Sequence, residues 1–280
     1  SERLEPGHGT MRIDVMVAGL LALLLATAAP AFDLGGPEPP TGMADLNTEA
    51  GFLPLRGDPR IRYEPGAERF ARETAQQLPA AIERVEWAQG RAFRRPVRVY
   101  ICATTRSFIR LSPAAWAINI GNRVFLSPRL FQVPGRLLGI LTHELSHQHF
   151  TQYLGDTPPL PSWFLEGLAV MVSGGAGAER VSQAAATRAI LTGEAFVPDP
   201  YNDSRFPGTA SHYGLAPHMF YRQAAMFTAY LQARDPAMFR RLLDWLLEGV
   251  PFDVAFERAF DAGPAKLWGA FVTDLRAATK

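Results

Sequence analysis

The sequence predicts an α+β protein, with a small mixed sheet followed by a mostly helical second half. Three observations predict it. Short apolar runs of strand length lie between residues 97 and 127, two of them around the turn-forming pair Gly121-Asn122. Longer segments before and after carry apolar positions at helical spacing. From Pro217 to the end, segment after segment repeats that helical pattern.

The elements follow in order. Met11-Arg12 precedes the apolar run Val15–Ala26, which is shorter than the roughly 20 residues of a comfortable membrane span. Ala-x-Ala cleavage patterns at Ala26-Thr27-Ala28 and Ala29-Pro30-Ala31 complete the signature of a secretory signal peptide over residues 1–31, or of an N-terminal anchor if it stays uncleaved. Met11 then reads as the start, with residues 1–10 upstream of it. The expected location is outside the cytoplasm, periplasmic or extracellular. Residues 32–60, with Gly35-Gly36-Pro37-Glu38-Pro39-Pro40, read as an extended Pro/Gly-rich leader ahead of a domain spanning 61–280.

Residues 67–93 read as a helix that Pro79 kinks or splits, with Phe70, Leu78, Ile82, Val85 and Trp87 as its apolar stripe. Val97–Cys102 reads as a strand. Ala114–Ile120 and Arg123–Ser127 read as the arms of a hairpin. A helix is expected from about Gly135 to Phe150, then a loop at 155–161. A second helix opens at Ser162 as N-cap and is ended by Gly174-Gly175-Ala176-Gly177. Residues 193–217 read as a long loop. Helices are expected at Met219–Arg234, Pro236–Glu248, Phe252–Phe260 and Pro264–Ala278, with Leu242, Leu243, Trp245, Leu246 and Leu247 as core.

Composition bounds the function. Hydrophobic residues make up 48% of the 280, enough for a sizeable core, and the net charge of +1 gives no electrostatic footprint for nucleic acid. Arg91, Arg94 and Arg95 cluster locally and read as a solvated helix end. The single cysteine, Cys102, excludes an internal disulfide and reads as a buried structural thiol.

The chemistry is concentrated in His143-Glu144-Leu145-Ser146-His147. Residues four apart share one helix face, so His143 and His147 can bind one metal ion together while Glu144 leans over its open side. Glu166 lies within the apolar run Trp163–Val170 of the second helix. A buried carboxylate needs a cation or a donor, and a metal on the two histidines would supply it. Gly167 beside it would let the two helices pack closely.

His143-Glu144-x-x-His147, followed nineteen residues later by Glu166 in the context Trp163-x-x-Glu166-Gly167-x-Ala169, resembles the gluzincin metallopeptidases of the peptidase MA-like group. The local likeness is to the M1-type aminopeptidases and small bacterial relatives, over roughly residues 95–275. The metzincin pattern is not met, because Phe150 and Tyr153 stand where it needs Gly and His. The resemblance implies a zincin-like catalytic domain and one zinc ion per chain on His143, His147 and Glu166, with Glu144 as general base. It also implies a peptide or protein substrate, paired with an edge strand for which Ala117–Asn119 is the candidate. Tyr221 stands at about the M1 distance for an oxyanion donor, with His212, Tyr213 and His218 as competitors. Two departures are visible. Val170 replaces the aspartate that partners a zinc histidine in thermolysin-like enzymes, and the Gly-Ala-Met-Glu-Asn motif that grips a free amine is absent. Endo- and exopeptidase action therefore both stay open. The alternative is a catalytically silent, zinc-stabilised binding or assembly protein of the cell envelope, with any membrane contact made through the N-terminal segment.

Overall fold

The computed structural model describes residues 49–112, 116–133, 135–155, 160–199 and 210–279. The expected signal segment, most of the leader and residues 200–209 of the long loop lie outside the described residues. The fold is α+β, as the patterning predicts. Five strands form one mixed sheet: β1 (Leu53–Leu55), β2 (Asp58–Tyr63), β3 (Val99–Ile101), β4 (Ala117–Ile120) and β5 (Arg123–Leu126), in the order β1-β2-β3-β5-β4. β2, β3 and β5 run parallel, while β1 and β4 are antiparallel to their neighbours at the two edges. Residues 53–60, expected within the leader, instead form β1 and the start of β2, so the folded domain begins earlier than residue 61.

The inner strands β3 and β5 are buried on both faces, and the two-residue alternation of strands decides what each face meets. Val99, Ile101, Val124 and Leu126 point into the main core. Tyr100, Cys102 and Phe125 point the other way, under Phe52 and Phe108. Cys102 is 1% exposed. Burial, with the Glu64 carboxylate adding to it, pushes its thiol up to about 12, so it is inert packing.

Helix α1 (Glu68–Gln89) crosses from β2 to β3. It runs as one helix through Pro79, so of the two expected effects, a kink or a split, the split does not occur. Phe70, Leu78 and Val85 are buried as expected, but Trp87 is 77% exposed. Its position faces away from the stripe set by Leu78 and Val85. Of the arginines after α1, Arg94 and Arg95 are exposed as expected and Arg91 is half-buried, and all three make contacts. Arg91 pairs with Glu248 at 2.6 Å, Arg94 lies over the Tyr153 ring at 4.1 Å, and the Arg95 amide donates to Gln152 Oε1 at 2.8 Å.

Two short helices follow β3 and β5: α2 (Thr105–Ile109) and α3 (Pro128–Phe131). Next come α4 (Leu137–Leu154), which carries the pentad, α5 (Ser162–Ser173), which carries Glu166, and α6 (Gln183–Leu191). Pro161, not Ser162, occupies the N-cap position of α5. Gly174 ends that helix at φ 75°, a left-handed conformation that suits glycine.

The second half is helical: α7 (Pro217–Arg234), α8 (Pro236–Leu247), α9 (Phe252–Phe260) and α10 (Pro264–Ala278). Leu242, Leu243, Leu246 and Leu247 are core, with Trp245 half-buried. Trp163 of α5 is buried among Phe164, Phe196, Phe227, Phe252 and Phe256, and its indole N–H donates to the Asp199 carbonyl at 2.9 Å. This aromatic cluster holds α5 against the C-terminal helices. No helix among the described residues is long and apolar enough to cross a membrane.

Candidate metal centre

Helices α4 and α5 pack against each other, and that contact brings the three predicted ligands together. His143 and His147 stand one turn apart on α4, with Nε2 atoms 3.2 Å from each other. Glu166 Oε2 lies 3.3 Å from His143 Nε2 and 3.6 Å from His147 Nε2. Among the described residues, no other trio of His, Cys, Asp or Glu side chains converges this way.

The separations bear on whether a metal fits. Zinc binds imidazole nitrogen and carboxylate oxygen at close to 2.0–2.2 Å, so two ligands on a tetrahedron stand about 3.3 Å apart. The three observed edges, at 3.2, 3.3 and 3.6 Å, bracket that value. Glu166 Oε2 is buried, and the two imidazole nitrogens are the polar groups beside it, at separations too long for good hydrogen bonds. A buried carboxylate oxygen without a donor is costly unless a cation stands beside it. Two imidazole nitrogens and one carboxylate oxygen are a donor set that zinc takes in catalytic sites.

The tautomer of His143 can be read from its partner. Its Nδ1 lies 3.0 Å from the Ala176 carbonyl. A carbonyl only accepts, so Nδ1 carries the proton, and in the neutral ring Nε2 presents its lone pair to the site. This carbonyl answers the departure at Val170. The acceptor comes from the loop after α5 rather than from a side chain on it. Ala176 was not legible as a functional residue, because a backbone carbonyl has no residue signature. The run Gly174-Gly175-Ala176-Gly177 is the one local sign, since glycines mark close backbone approach. A Cβ on Gly177 would stand 3.1 Å from His143 Cε1 and 3.5 Å from Tyr221 Cδ2.

The charges reinforce one another. Burial works against an ionised Glu166, but the two imidazoles outweigh it and hold the carboxyl well below the usual range. Burial disfavours a charged His147, yet Glu166 and Glu144 raise its pKa above the ordinary histidine value. Glu144 is pushed up, by burial first and then by the Glu166 charge, against the pull of both histidines.

The four oxyanion candidates separate. The Tyr221 ring on α7 lies 6.3 Å, centroid to centroid, from the His143 ring. Tyr213 stacks on Phe220 and donates its hydroxyl to the Val197 carbonyl at 3.1 Å. His212 is exposed, with its ring against Tyr213. His218 Nδ1 faces Glu179 Oε2 at 3.8 Å. Of the four, Tyr221 is the one in ring contact with a member of the trio.

Gly167 does permit a close approach, though not to α4 as expected. A Cβ there would stand 2.6 Å from the Ala224 carbonyl oxygen and 2.5 Å from Thr228 Oγ1, both on α7. The glycine thus brings α7 onto α5, with Tyr221 one turn before the contact. β4 closes another side of the site. It is an edge strand, and the Asn119 side chain donates to the Glu144 carbonyl at 3.3 Å, tying strand to helix at the proposed base.

No protein-family model matches the chain, and no curated protein matches its sequence.

Proposed function

We propose that this chain is a gluzincin-type zinc peptidase that hydrolyses peptide bonds, with His143, His147 and Glu166 as ligands and Glu144 as general base. The observation that carries the reading is the convergence of three donor atoms at the edge lengths of a zinc tetrahedron, with the tautomer of one ligand fixed by a carbonyl. When bound, zinc supplies a Lewis-acid charge that lowers the pKa of water and polarises a carbonyl.

The protein's own groups do the rest. The Glu144 carboxylate takes a proton from the attacking water as the oxygen–carbon bond forms. It gives that proton to the leaving nitrogen as the carbon–nitrogen bond breaks. Tyr221 donates a hydrogen bond to the oxygen that gains negative charge. The outer edge of β4 offers backbone N–H and C=O groups to an extended substrate, which gives affinity with little side-chain selectivity.

The test is a peptide-library digest by the zinc-loaded wild type beside zinc-loaded Glu144→Gln. Cleavage by the first and not the second supports the mechanism. A library left intact by both supports the silent binding protein instead. Equal cleavage by both removes Glu144 from the reaction.

A further inference from the structure

The loop from Gly174 to Val181 touches three helices. At α5, the Gly175 N–H donates to the Val170 carbonyl at 2.8 Å and the Ala176 N–H to Ser173 Oγ at 3.1 Å. At the N-cap of α4, Arg136 Nη2 donates to Glu179 Oε1 at 2.5 Å. At α7, Arg222 Nε donates to the Val181 carbonyl at 2.8 Å and Nη2 to the Ala178 carbonyl at 3.0 Å. Between these anchors lies the Ala176 carbonyl that accepts from His143.

We propose that Arg222 and Glu179 are positioning residues for the metal centre: by clamping this loop from opposite sides they hold the Ala176 carbonyl on His143 and so fix the tautomer and aim of that imidazole. This rests on the metal reading above. The physical need is specific to this chain. A side-chain carboxylate on α5 would be positioned by its helix, but Val170 occupies that place, and the acceptor is a carbonyl in a segment with three glycines. Glycine-rich backbone has the most conformational freedom to lose, so its placement has to be imposed from outside. Arg222 is suited to this, because the rigid guanidinium fork delivers two charge-assisted hydrogen bonds in a fixed geometry. Glu179 ties the far side of the loop to the start of the helix that carries both histidines. Partners of this kind typically change metal affinity 10–100-fold when lost, although they touch neither metal nor substrate.

The experiment compares full-length wild type with Arg222→Met, Arg222→Lys and Glu179→Gln. Zinc dissociation constants come from chelator competition. The His143 ring tautomer comes from nitrogen NMR of the metal-free protein, and the melting temperature of each variant is recorded beside them. The expected result is a His143 protonated on Nδ1 in the wild type and a mixed tautomer in Arg222→Met and Glu179→Gln. The zinc Kd rises about 10–100-fold in those two, and Arg222→Lys, which can keep one of the two bonds, falls between. Variants with wild-type tautomer and wild-type Kd would overturn the proposal even if they melt earlier, since the clamp would then serve loop stability alone. If Arg222→Met does not fold, Glu179→Gln decides. A wild type that binds no zinc would fail the reading of the centre, while the tautomer comparison, made without metal, would still decide the clamp.

Discussion

In the proposed mechanism Glu144 and Tyr221 divide the chemistry at the residue scale, and each allows a separate prediction. Glu144 is not a ligand, so Glu144→Gln should keep the zinc content of the wild type while kcat falls by about 10²–10⁴-fold, the usual contribution of a positioned acid–base group. Turnover within a few-fold of wild type would remove it as the base. Tyr221→Phe deletes only the phenol hydroxyl. It should lower kcat by about 10²–10³-fold, as loss of one oxyanion donor does, with zinc affinity unchanged. A negligible effect would pass the role to His218, which lies one turn earlier on α7. The convergence of His143, His147 and Glu166 was legible in the sequence because side chains of recognisable donor type stand at helical spacing, which sets their faces. Ala176, Glu179 and Arg222 were not. Their contacts are made by a backbone carbonyl and between segments far apart in the chain, neither of which leaves a local pattern.

Elements place those residues, and the contact of α5 with α7 is the tightest constraint. Gly167→Ala would drive a Cβ into the Ala224 carbonyl, a backbone atom that cannot rotate away. Overpacking of this kind costs about 1–3 kcal/mol. Against it stands a helix-propensity gain of about 1 kcal/mol for alanine over glycine. The variant should therefore be less stable than wild type by urea titration, and a more stable variant would show that α7 can shift aside. The helices α9 and α10 have the bounds that the sequence predicted, because their apolar spacing is clear and turn residues separate them. Three short helices were missed. Each nonetheless begins at a hydroxyl cap: Thr104 for α2, Ser127 for α3 and Ser182 for α6, whose oxygens accept from Ser107, Arg129 and Ala185 amides. The caps were visible, but the apolar patterns behind them are too brief to show a period. In α1 the buried stripe of Phe70, Leu78 and Val85 continues on both sides of Pro79, and the helix stays whole.

One continuous core joins the sheet, α1 and the C-terminal helices of the described chain, and the His143, His147 and Glu166 cluster sits on two helices packed within it. Within that core the C-terminal helices pack around Trp163 and its phenylalanine neighbours. Trp163→Ala should cost about 3–5 kcal/mol, seen as a large fall in the urea midpoint. Because Glu166 is one turn beyond Trp163 on α5, the same variant should also bind zinc more weakly. Zinc in turn should stabilise the whole molecule. A metal present at a thousand times its Kd adds about 4 kcal/mol, so chelation should lower the melting temperature. The most direct measurement for the account is the metal content of the purified protein by mass spectrometry, wild type beside Glu166→Ala. The account predicts close to one zinc per wild-type chain and a large loss in the variant. A wild type that arrives without metal and takes up none when zinc is added would contradict it, leaving His143, His147 and Glu166 as an ion-paired cluster between two helices.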